Sequence, residues 1–247
     1  MPLFTTSIQN QEQAASSGDK SYPETSQLPI NSSFSDFFNR ETLNTTNAYA
    51  LYTSAGTGTE VVSIQNNNAL RLTTGVVTGD DVDIRTSGMS FLRSGFLNSK
   101  SQIVLEVVFV LAGTVASQEE FIGLLLDAGA AITALPTTAR HMGIYFDKSA
   151  GATFILSSAD GTTQSTTDSL VTAVADTYYR IRITWTGINS ATVELYTGTD
   201  LKTLSATHTV TALDTNTNRA YGLHFFINSE SITTPSLDIY EWMASAT

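Results

Sequence analysis

The chain of 247 residues contains no cysteine and carries little charge. The missing cysteine excludes disulfides, thiolate metal ligands and cysteine nucleophiles. Charged residues make up 14% of the chain, against about 25% in an average soluble protein, so Thr, Ser, Asn and Gly must form much of the surface. No run approaches the roughly 18 apolar residues of a membrane span, and no basic, apolar leader follows Met1. We therefore expect no membrane partner and synthesis in the cytoplasm without a signal peptide.

The charge that is present is mostly negative, with 23 acidic against 12 basic residues and a formal net charge of −11. A negative field repels a phosphate backbone, and the basic residues are scattered singly, so we expect no nucleic-acid partner. An acidic, lightly charged surface is better suited to sugars or to other proteins. At 41% hydrophobic content, a chain of this length can bury one sizeable core.

Residues 1–33 differ in composition from the rest of the chain. They are rich in Pro, Ser and Gln and contain few apolar residues. Such a segment cannot bury enough surface to fold alone. The sequence thus predicts an extended N-terminal arm over 1–33 and one domain over 34–247. The arm is expected to lie either against the flank of its own domain or against a neighbouring subunit.

Beyond the arm, short apolar runs alternate with turns of Gly, Asn, Asp and Thr. In the run YYRIRITW, Tyr179, Ile181 and Ile183 would share one buried face. Arg180 and Arg182 would lie on the opposite face and meet acidic side chains across neighbouring strands. Runs of this kind predict strands near 48–53, 60–64, 69–74, 81–86, 102–112, 121–127, 142–147, 152–158, 178–186, 191–197, 207–211, 220–228 and 236–243. No helical period is present, so the sequence predicts an all-β, antiparallel, two-sheet β-sandwich.

Two of the predicted strands, 102–112 and 121–127, are apolar on both faces. A strand of this kind must be covered on both faces, because an exposed apolar stripe would be an aggregation hazard. The cover could be loops of the same chain or a partner subunit, and the sequence leaves both alternatives open.

The order of these segments resembles a known architecture. NNNALRL follows a hairpin, GDDVDIRT precedes a long apolar strand, and FIGLLLD is paired with HMGIYFD. The hairpin DTYYRIRITWTG…ATVELYTGTDL then precedes the closing PSLDIYEWM. Over about residues 34–245, this pattern is similar to the concanavalin A-like lectin/glucanase jelly roll in its laminin-G-like form. The arm and the Thr/Ser/Asn-rich composition also resemble virion surface proteins of phages and other viruses, such as capsid decoration proteins and fibres.

The glycoside hydrolases of this superfamily place two catalytic carboxylates on one strand, as Glu-x-Asp-x-x-Glu or a close variant. In retaining enzymes the two groups lie about 5 Å apart. No glutamate of this chain is followed by Asp two positions later. The nearest acidic pair on a predicted strand, Asp238 and Glu241, has an odd spacing that would put the side chains on opposite faces. The sequence therefore predicts a protein that is not an enzyme.

One candidate binding group is the acidic stretch at the start of the predicted strand 81–86. Asp80, Asp81 and Asp83 could supply oxygen ligands to a calcium ion. Three acids so close together are also typical of a solvated strand entry, and no Asp/Asn-x-Asp-Gly loop accompanies them. They are weak candidates for a metal site.

The second candidate group combines histidines and aromatic residues. His141 and Tyr145 would share one face of HMGIYFD, and His224 and Phe226 one face of YGLHFFIN. If these faces lie side by side, they form a surface that could stack on a sugar ring or on the side chains of a partner. The alternative is four ordinary half-buried sheet residues. No nucleotide, flavin or P-loop pattern is present, so we expect no cofactor.

The leading hypothesis from the sequence is a non-enzymatic structural protein of a virion, such as a capsid decoration or other surface component. It would be a homo-oligomer, located in the virion, that binds neighbouring subunits through its N-terminal arm. The alternative is a lectin-like carbohydrate-binding module that attaches a virus to a host glycan. The composition of the arm, the missing carboxylate pair, the missing leader and the lightly charged surface are the features behind the leading hypothesis.

Overall fold

The computed structural model describes residues 33–36, 38, 49–53, 60–86, 92–93, 102–113, 115, 118–126, 132–148, 151–186, 190–210, 220–230 and 234–246. These residues form strands and no α-helix, and none of them forms a helix long and apolar enough to cross a membrane. The strands are β1 Ser33–Asp36, β2 Tyr49–Thr53, β3 Val61–Ile64, β4 Leu70–Thr73, β5 Asp81–Thr86, β6 Leu92–Arg93, β7 Ile103–Ala112, β8 Gln118–Leu126, β9 His141–Asp147, β10 Thr153–Ala159, β11 Gln164–Thr172, β12 Tyr178–Trp185, β13 Ala191–Thr197, β14 Thr203–Val210, β15 Ala220–Ser229 and β16 Ser236–Ala246.

The strands form two sheets of eight strands each, and every pairing is antiparallel. Sheet A has the order β14-β13-β12-β7-β16-β4-β3, with β1 also pairing with β16. Sheet B has the order β11-β10-β9-β8-β15-β5-β2, with β6 also pairing with β15. Strands adjacent in sequence pair from β8 to β11 and from β12 to β14. By contrast, β7, β15 and β16 join strands that are distant in sequence, which gives the jelly-roll character.

The core lies between the inner faces of the two sheets. In β12 the burial alternates residue by residue, and Tyr179, Ile181, Ile183 and Trp185 are all buried. They meet aromatic side chains of both sheets; the Tyr179 ring, for example, lies 4.7 Å from that of Phe154 on β10. The predicted two-sheet β-sandwich is therefore confirmed, with the run YYRIRITW contributing to its core.

Each of the predicted strands is present, with ends shifted by a few residues, but three strands were not predicted. β1 reads SFSD, with a single apolar residue, and β6 has only two residues, so neither shows a repeated hydrophobic period. β11 reads QSTTDSLVT and is an edge strand of sheet B. Its side chains are mostly polar on both faces, so the period-2 hydrophobic signal is missing. Of the predicted arm 1–33, only Ser33 is described, as the first residue of β1, and residues 1–32 lie outside the described residues.

The two strands that are apolar on both faces have different covers. On the outer face of β7, the buried Val108 lies opposite Arg180 of β12 on one side and opposite Glu241 of β16 on the other. On the outer face of β8, Phe121 packs against Ile132, which follows that strand. For β8, the described residues thus include a cover from a connection of the same chain, and a partner subunit as a further cover stays a prediction.

Candidate functional site

The four side chains predicted to form a ligand or partner face lie on the outer face of sheet B. His141 and Tyr145 are on β9, His224 and Phe226 are on β15, and β8 runs between these two strands. In the register, Tyr145 is opposite Phe121, which is opposite Phe226 on the other side. The structure therefore brings the four residues to one face, with one strand between the two pairs.

A segment of the connection between β8 and β9, residues 132–140, packs against this face and covers part of it. Ile132 packs with Phe121 and Phe226 in an apolar cluster that is separate from the main core. Of the four predicted side chains, three are buried, and only Tyr145 reaches solvent. The face is thus closed over both histidines and open near Tyr145.

Two glycines allow the Phe121 ring to lie close against the sheet. Gly123 of β8 and Gly143 of β9 are opposite each other. A Cβ atom on Gly123 would lie 2.6 Å from the Gly143 Cα and 2.9 Å from the Phe121 ring, and one on Gly143 would collide with the carbonyl oxygen of Ile122. The Phe121 ring meets His141 edge to face, with 5.7 Å between ring centroids. The small residues are therefore required by packing.

Asp83 holds the closed part of the face together. Its Oδ1 atom lies 3.0 Å from His224 Nδ1, and its Oδ2 atom accepts a hydrogen bond from the backbone N–H of Ile132 at 2.9 Å. Asp83 and His224 are both buried. One carboxylate thus joins β5, β15 and the covering segment.

His141 takes part in a second buried network. Its Nδ1 atom donates to the carbonyl oxygen of Ala139 at 2.7 Å, which leaves Nε2 to accept from the Ser157 hydroxyl at 2.8 Å. The Gln164 amide donates to the same Ser157 oxygen at 3.1 Å, and burial lowers the pKa of His141. A serine that donates to a histidine is the geometry of an activated nucleophile, but both side chains are buried. Their hydrogen bonds connect Ala139 with β9 and β10.

The three aspartates at the start of β5 do not form a group that could share one ion. Asp80 accepts a hydrogen bond from the backbone N–H of Val77 in the preceding turn at 3.1 Å. Asp83 binds His224, and Asp81 lies opposite Asn228 of β15. All three aspartates are buried, so the expected alternative of a solvated strand entry does not describe them either.

Three other carboxylates do converge, and we call them the acidic group: Glu119 on β8, Asp147 on β9 and Glu230 after β15. One oxygen of each lies within 4.8 Å of those of the other two, and all three side chains are partly exposed. Glu119 is opposite Asp147 in the register, and the Asn228 amide donates to Glu119 at 2.9 Å. Carboxylate and amide oxygens of this kind can ligate a hard cation such as calcium or accept hydrogen bonds from hydroxyl groups.

Tyr145 extends the acidic group along β9. It lies two residues before Asp147 and therefore on the same face of the strand. Burial raises the pKa of Tyr145, and the charge of Asp147 adds to this effect. We call the partly exposed area formed by Tyr145, the acidic group and Asn228 the Tyr145 surface.

Sequence reasoning predicted only Tyr145 of this surface. Its three carboxylates come from different strands, and each alone reads as a charge at a strand end. Pairing QEEFIGLLL with HMGIYFD in the observed register would have brought Glu119 and Asp147 together, because they are opposite each other. The sequence alone did not show which residues of β8 and β9 are opposite each other.

On the outer face of sheet A, the structure differs from the prediction for Asp238 and Glu241. A β-bulge at Tyr240 shifts the register of β16, so that Asp238 is opposite Val110 and Glu241 is opposite Val108. These two valines are on the same face of β7, so the prediction that Asp238 and Glu241 lie on opposite faces is wrong. The extra residue of the bulge changes the alternation.

The arginines of β12 lie on this same outer face. Arg182 Nε donates to Glu106 of β7 at 2.6 Å, and Arg180 Nη1 donates to the same oxygen at 3.3 Å. The Arg180 guanidinium also lies 4.3 Å from the centre of the Tyr196 ring. The expected meeting of arginines with acids across neighbouring strands is thus observed.

Comparison with solved structures shows a concanavalin A-like sandwich. An endo-1,3-β-glucanase from Streptomyces sioyaensis matches with a TM-score of 0.62 and 12% identity, over 90% of this chain and 98% of that chain. Lectin I from Ulex europaeus, in complex with the methyl glycoside of α-L-fucose, matches with a TM-score of 0.60 and 10% identity, over 88% and 98%. A protein of unknown function from Shewanella oneidensis MR-1 matches with a TM-score of 0.61 and 14% identity, over 100% and 95%.

The sequence matches no protein-family model and no curated protein. At 14% identity or less, the structural matches show the fold alone. The fold is shared by lectins and by glucanases. It therefore does not by itself separate binding from catalysis.

Proposed function

We propose that this protein binds carbohydrate without cleaving it, as a lectin-like module. The observation that carries the proposal is the Tyr145 surface, where a partly exposed aromatic ring adjoins three carboxylates and an amide. The surface lies at the open part of the sheet B face. A carbohydrate ring can pack on the aromatic side chain with one face and form hydrogen bonds to the carboxylates and the amide with its hydroxyl groups.

The chemistry of the Tyr145 surface suits a sugar. The apolar face of a pyranose ring can pack on Tyr145, because an aromatic side chain offers a large contact area with little loss of conformational entropy. The hydroxyl groups at the ring edge can donate to Glu119, Asp147 or Glu230, and hydrogen bonds to charged acceptors are the stronger ones. The net charge of −11 disfavours an acidic sugar, so the expected ligands are neutral.

A second candidate function is hydrolysis of a glycosidic bond, favoured by the distances within the acidic group. Its carboxylate oxygens lie within 4.8 Å of one another, and retaining glycosidases hold their two carboxyl groups about 5 Å apart. The sequence lacks the single-strand arrangement Glu-x-Asp-x-x-Glu. A cross-strand pair such as Glu119 and Asp147 would have to replace it, and this is why we propose binding in preference to cleavage.

One experiment separates these functions. The protein is applied to a glycan array, and each bound saccharide is then incubated with it and assayed for new reducing ends. We expect binding that Tyr145→Ala and Asp147→Asn weaken, without release of reducing ends. Release of reducing ends that Glu119→Gln or Asp147→Asn abolishes would replace the proposal with a glycosidase. Absence of binding to every saccharide on the array would end the proposal.

We also retain the proposal of a virion surface protein, for which the composition of residues 1–33 is the supporting observation. The arm would contact neighbouring subunits, and the sandwich would present the Tyr145 surface to a host glycan. Size-exclusion chromatography with light scattering tests the proposed contacts of the arm with neighbouring subunits. The full chain should form an oligomer that a chain lacking residues 1–32 does not form. A full chain that stays monomeric and fails to bind any assembled particle would contradict it.

A further inference from the structure

A second exposed aromatic site lies on the opposite side of the sandwich, on the outer face of sheet A. Tyr178, the first residue of β12, is 46% exposed. Its ring centroid lies 4.8 Å from that of Tyr240, at an angle of 54°. Tyr240 is the extra residue of the β-bulge in β16. Bulges of this kind redirect a side chain and are frequent beside functional sites.

Polar groups with fixed geometry surround this tyrosine pair. Arg71 of β4 binds both oxygens of Asp238 through Nε and Nη2, each at 2.6 Å. Asn67, in the turn between β3 and β4, donates to the Tyr240 hydroxyl at 2.9 Å. Arg71 Nη1 and Asn67 Oδ1 take no part in these bonds. A donor and an acceptor are thus held close to an exposed aromatic ring.

The charges of this face are balanced. Arg71 is paired with Asp238, and Arg180 and Arg182 share Glu106. The charge of Glu241 also acts on Arg180, and that of Glu194 on Arg182. An anionic ligand would therefore meet no uncompensated positive charge among these arginines, and the negative net charge of the chain would repel it. A neutral ligand with several hydroxyl groups fits the site better.

We propose that Tyr178, Tyr240, Asn67 and Arg71 form a second carbohydrate-binding site, specific for neutral saccharides. One face of the sugar packs on the Tyr178 ring. Its hydroxyl groups accept from Arg71 and donate to the Asn67 amide oxygen. The rings of Tyr178 and Tyr240 pack against each other, so no slot lies between them for the proline rings of a peptide.

This site is independent of the Tyr145 surface, because the two lie on the outer faces of different sheets. One domain with two such sites could bind two glycan chains at once or two parts of a dense glycan layer. When the geometry allows both sites to bind at once, the overall affinity exceeds that of either site alone by a factor of about 10² or more. Weak binding at each site is therefore sufficient for function.

The test is an NMR titration of the full-length, ¹⁵N-labelled protein with cellohexaose and laminarihexaose, at up to roughly 10 mM to detect weak binding. The reporters are the Asn67 side-chain amide and the Arg71 Nε–H. The anionic control probe is hexagalacturonate. We expect saturable shifts of both reporters with at least one neutral probe, weakened about tenfold or more by Tyr178→Ala. Asn67→Ala, at an exposed turn position, is the second variant and should weaken binding as well.

Two variants serve as controls. Leu204→Ala removes an exposed apolar side chain from β14 of the same sheet and should leave the titration unchanged. Tyr145→Ala should abolish shifts at the Tyr145 surface only. Absence of reporter shifts with both neutral probes, an unchanged affinity in Tyr178→Ala, or equal shifts with hexagalacturonate would each overturn the proposal. The first two results leave the Tyr145 surface unaffected, so the two sites are tested separately.

Discussion

The Nδ1 atom of His224 lies 3.0 Å from Oδ1 of Asp83, and both side chains are buried. Asp83→Ala would leave the imidazole and the backbone N–H of Ile132 without this acceptor. Because an unpaired buried polar group pays its full desolvation cost, we expect the free energy of unfolding to fall by about 3 kcal/mol. Urea unfolding measures the change. The control is Asp168→Ala, whose exposed carboxylate accepts from the Leu170 N–H and should cost well under half as much.

The same variant tests the role of the covering segment. If Asp83 fastens residues 132–140, hydrogen exchange at the Ile132 amide should accelerate in Asp83→Ala more than exchange in β12. Uniform acceleration across the chain would mean that Asp83 contributes only to global stability.

The buried carboxyl group of Glu120 should make the stability of the protein fall as the pH rises. The side chain points into the core beside Phe109, Phe146 and Phe154, and neither carboxyl oxygen has a hydrogen-bond partner among the described residues. Burial raises the pKa of Glu120 well above 4.5. The unfolded chain therefore releases this proton at lower pH than the folded protein. The contribution of protonated Glu120 to the free energy of unfolding is therefore complete below the pKa that this group has in the unfolded chain. It is lost as the pH rises through the pKa that Glu120 has in the folded protein.

Glu120→Met removes this dependence, because methionine is of similar length and has no charge to bury. At pH 8 we expect the variant to be more stable than the original chain by about 2 kcal/mol, and the difference to shrink towards pH 4. Denaturant midpoints at several pH values measure the effect. A stability difference that is independent of pH would show that Glu120 does not titrate in the folded protein.

The glycine pair of β8 and β9 should not tolerate a side chain. Gly143→Ala places a Cβ against the carbonyl oxygen of Ile122 and 3.0 Å from the Phe121 ring, and backbone on the neighbouring strand cannot yield easily. We expect a loss of about 2–3 kcal/mol in thermal or urea unfolding. Gly222→Ala is the matched control, since its nearest neighbour would be 3.7 Å away. Equal effects of the two substitutions would contradict the packing argument.

Leu170 combines two unfavourable features at an edge strand. Its φ angle is +57°, and the side chain is 81% exposed. A bulky residue in this conformation is strained, and glycine relieves the strain at little packing cost. We expect Leu170→Gly to leave stability unchanged or to raise it by up to about 1 kcal/mol. Leu204→Gly, at an exposed strand position without positive φ, should destabilise the protein. A clear loss of stability in Leu170→Gly would assign a packing role to that side chain.

Most of the fold could be predicted from the sequence because its strands alternate clearly. The run YYRIRITW carries the period-2 pattern in full, and its burial follows the pattern residue by residue. β11 could not be predicted, because an edge strand with polar residues on both faces has no such pattern. The faces of Asp238 and Glu241 were predicted wrongly because alternation rules do not foresee a bulge.

The candidate site was less predictable, because it depends on register and on a loop. The faces of His224 and Phe226 follow from alternation, but the packing of Phe226 under Ile132 depends on tertiary contacts. The bond of His224 to Asp83 likewise depends on the pairing of β15 with β5. Glu119 and Asp147 meet only in the observed pairing of β8 with β9. From a single sequence, the face on which a side chain lies is easier to predict than the residues that lie beside it on neighbouring strands.

The central claim is that the Tyr145 surface binds a neutral saccharide. The most direct measurement is calorimetric titration of the first saccharide found on the array into the original chain and into Tyr145→Ala, with Leu204→Ala as the control. We expect saturable binding that Tyr145→Ala weakens about tenfold or more and that Leu204→Ala leaves unchanged. Equal affinity of the original chain and Tyr145→Ala would contradict it.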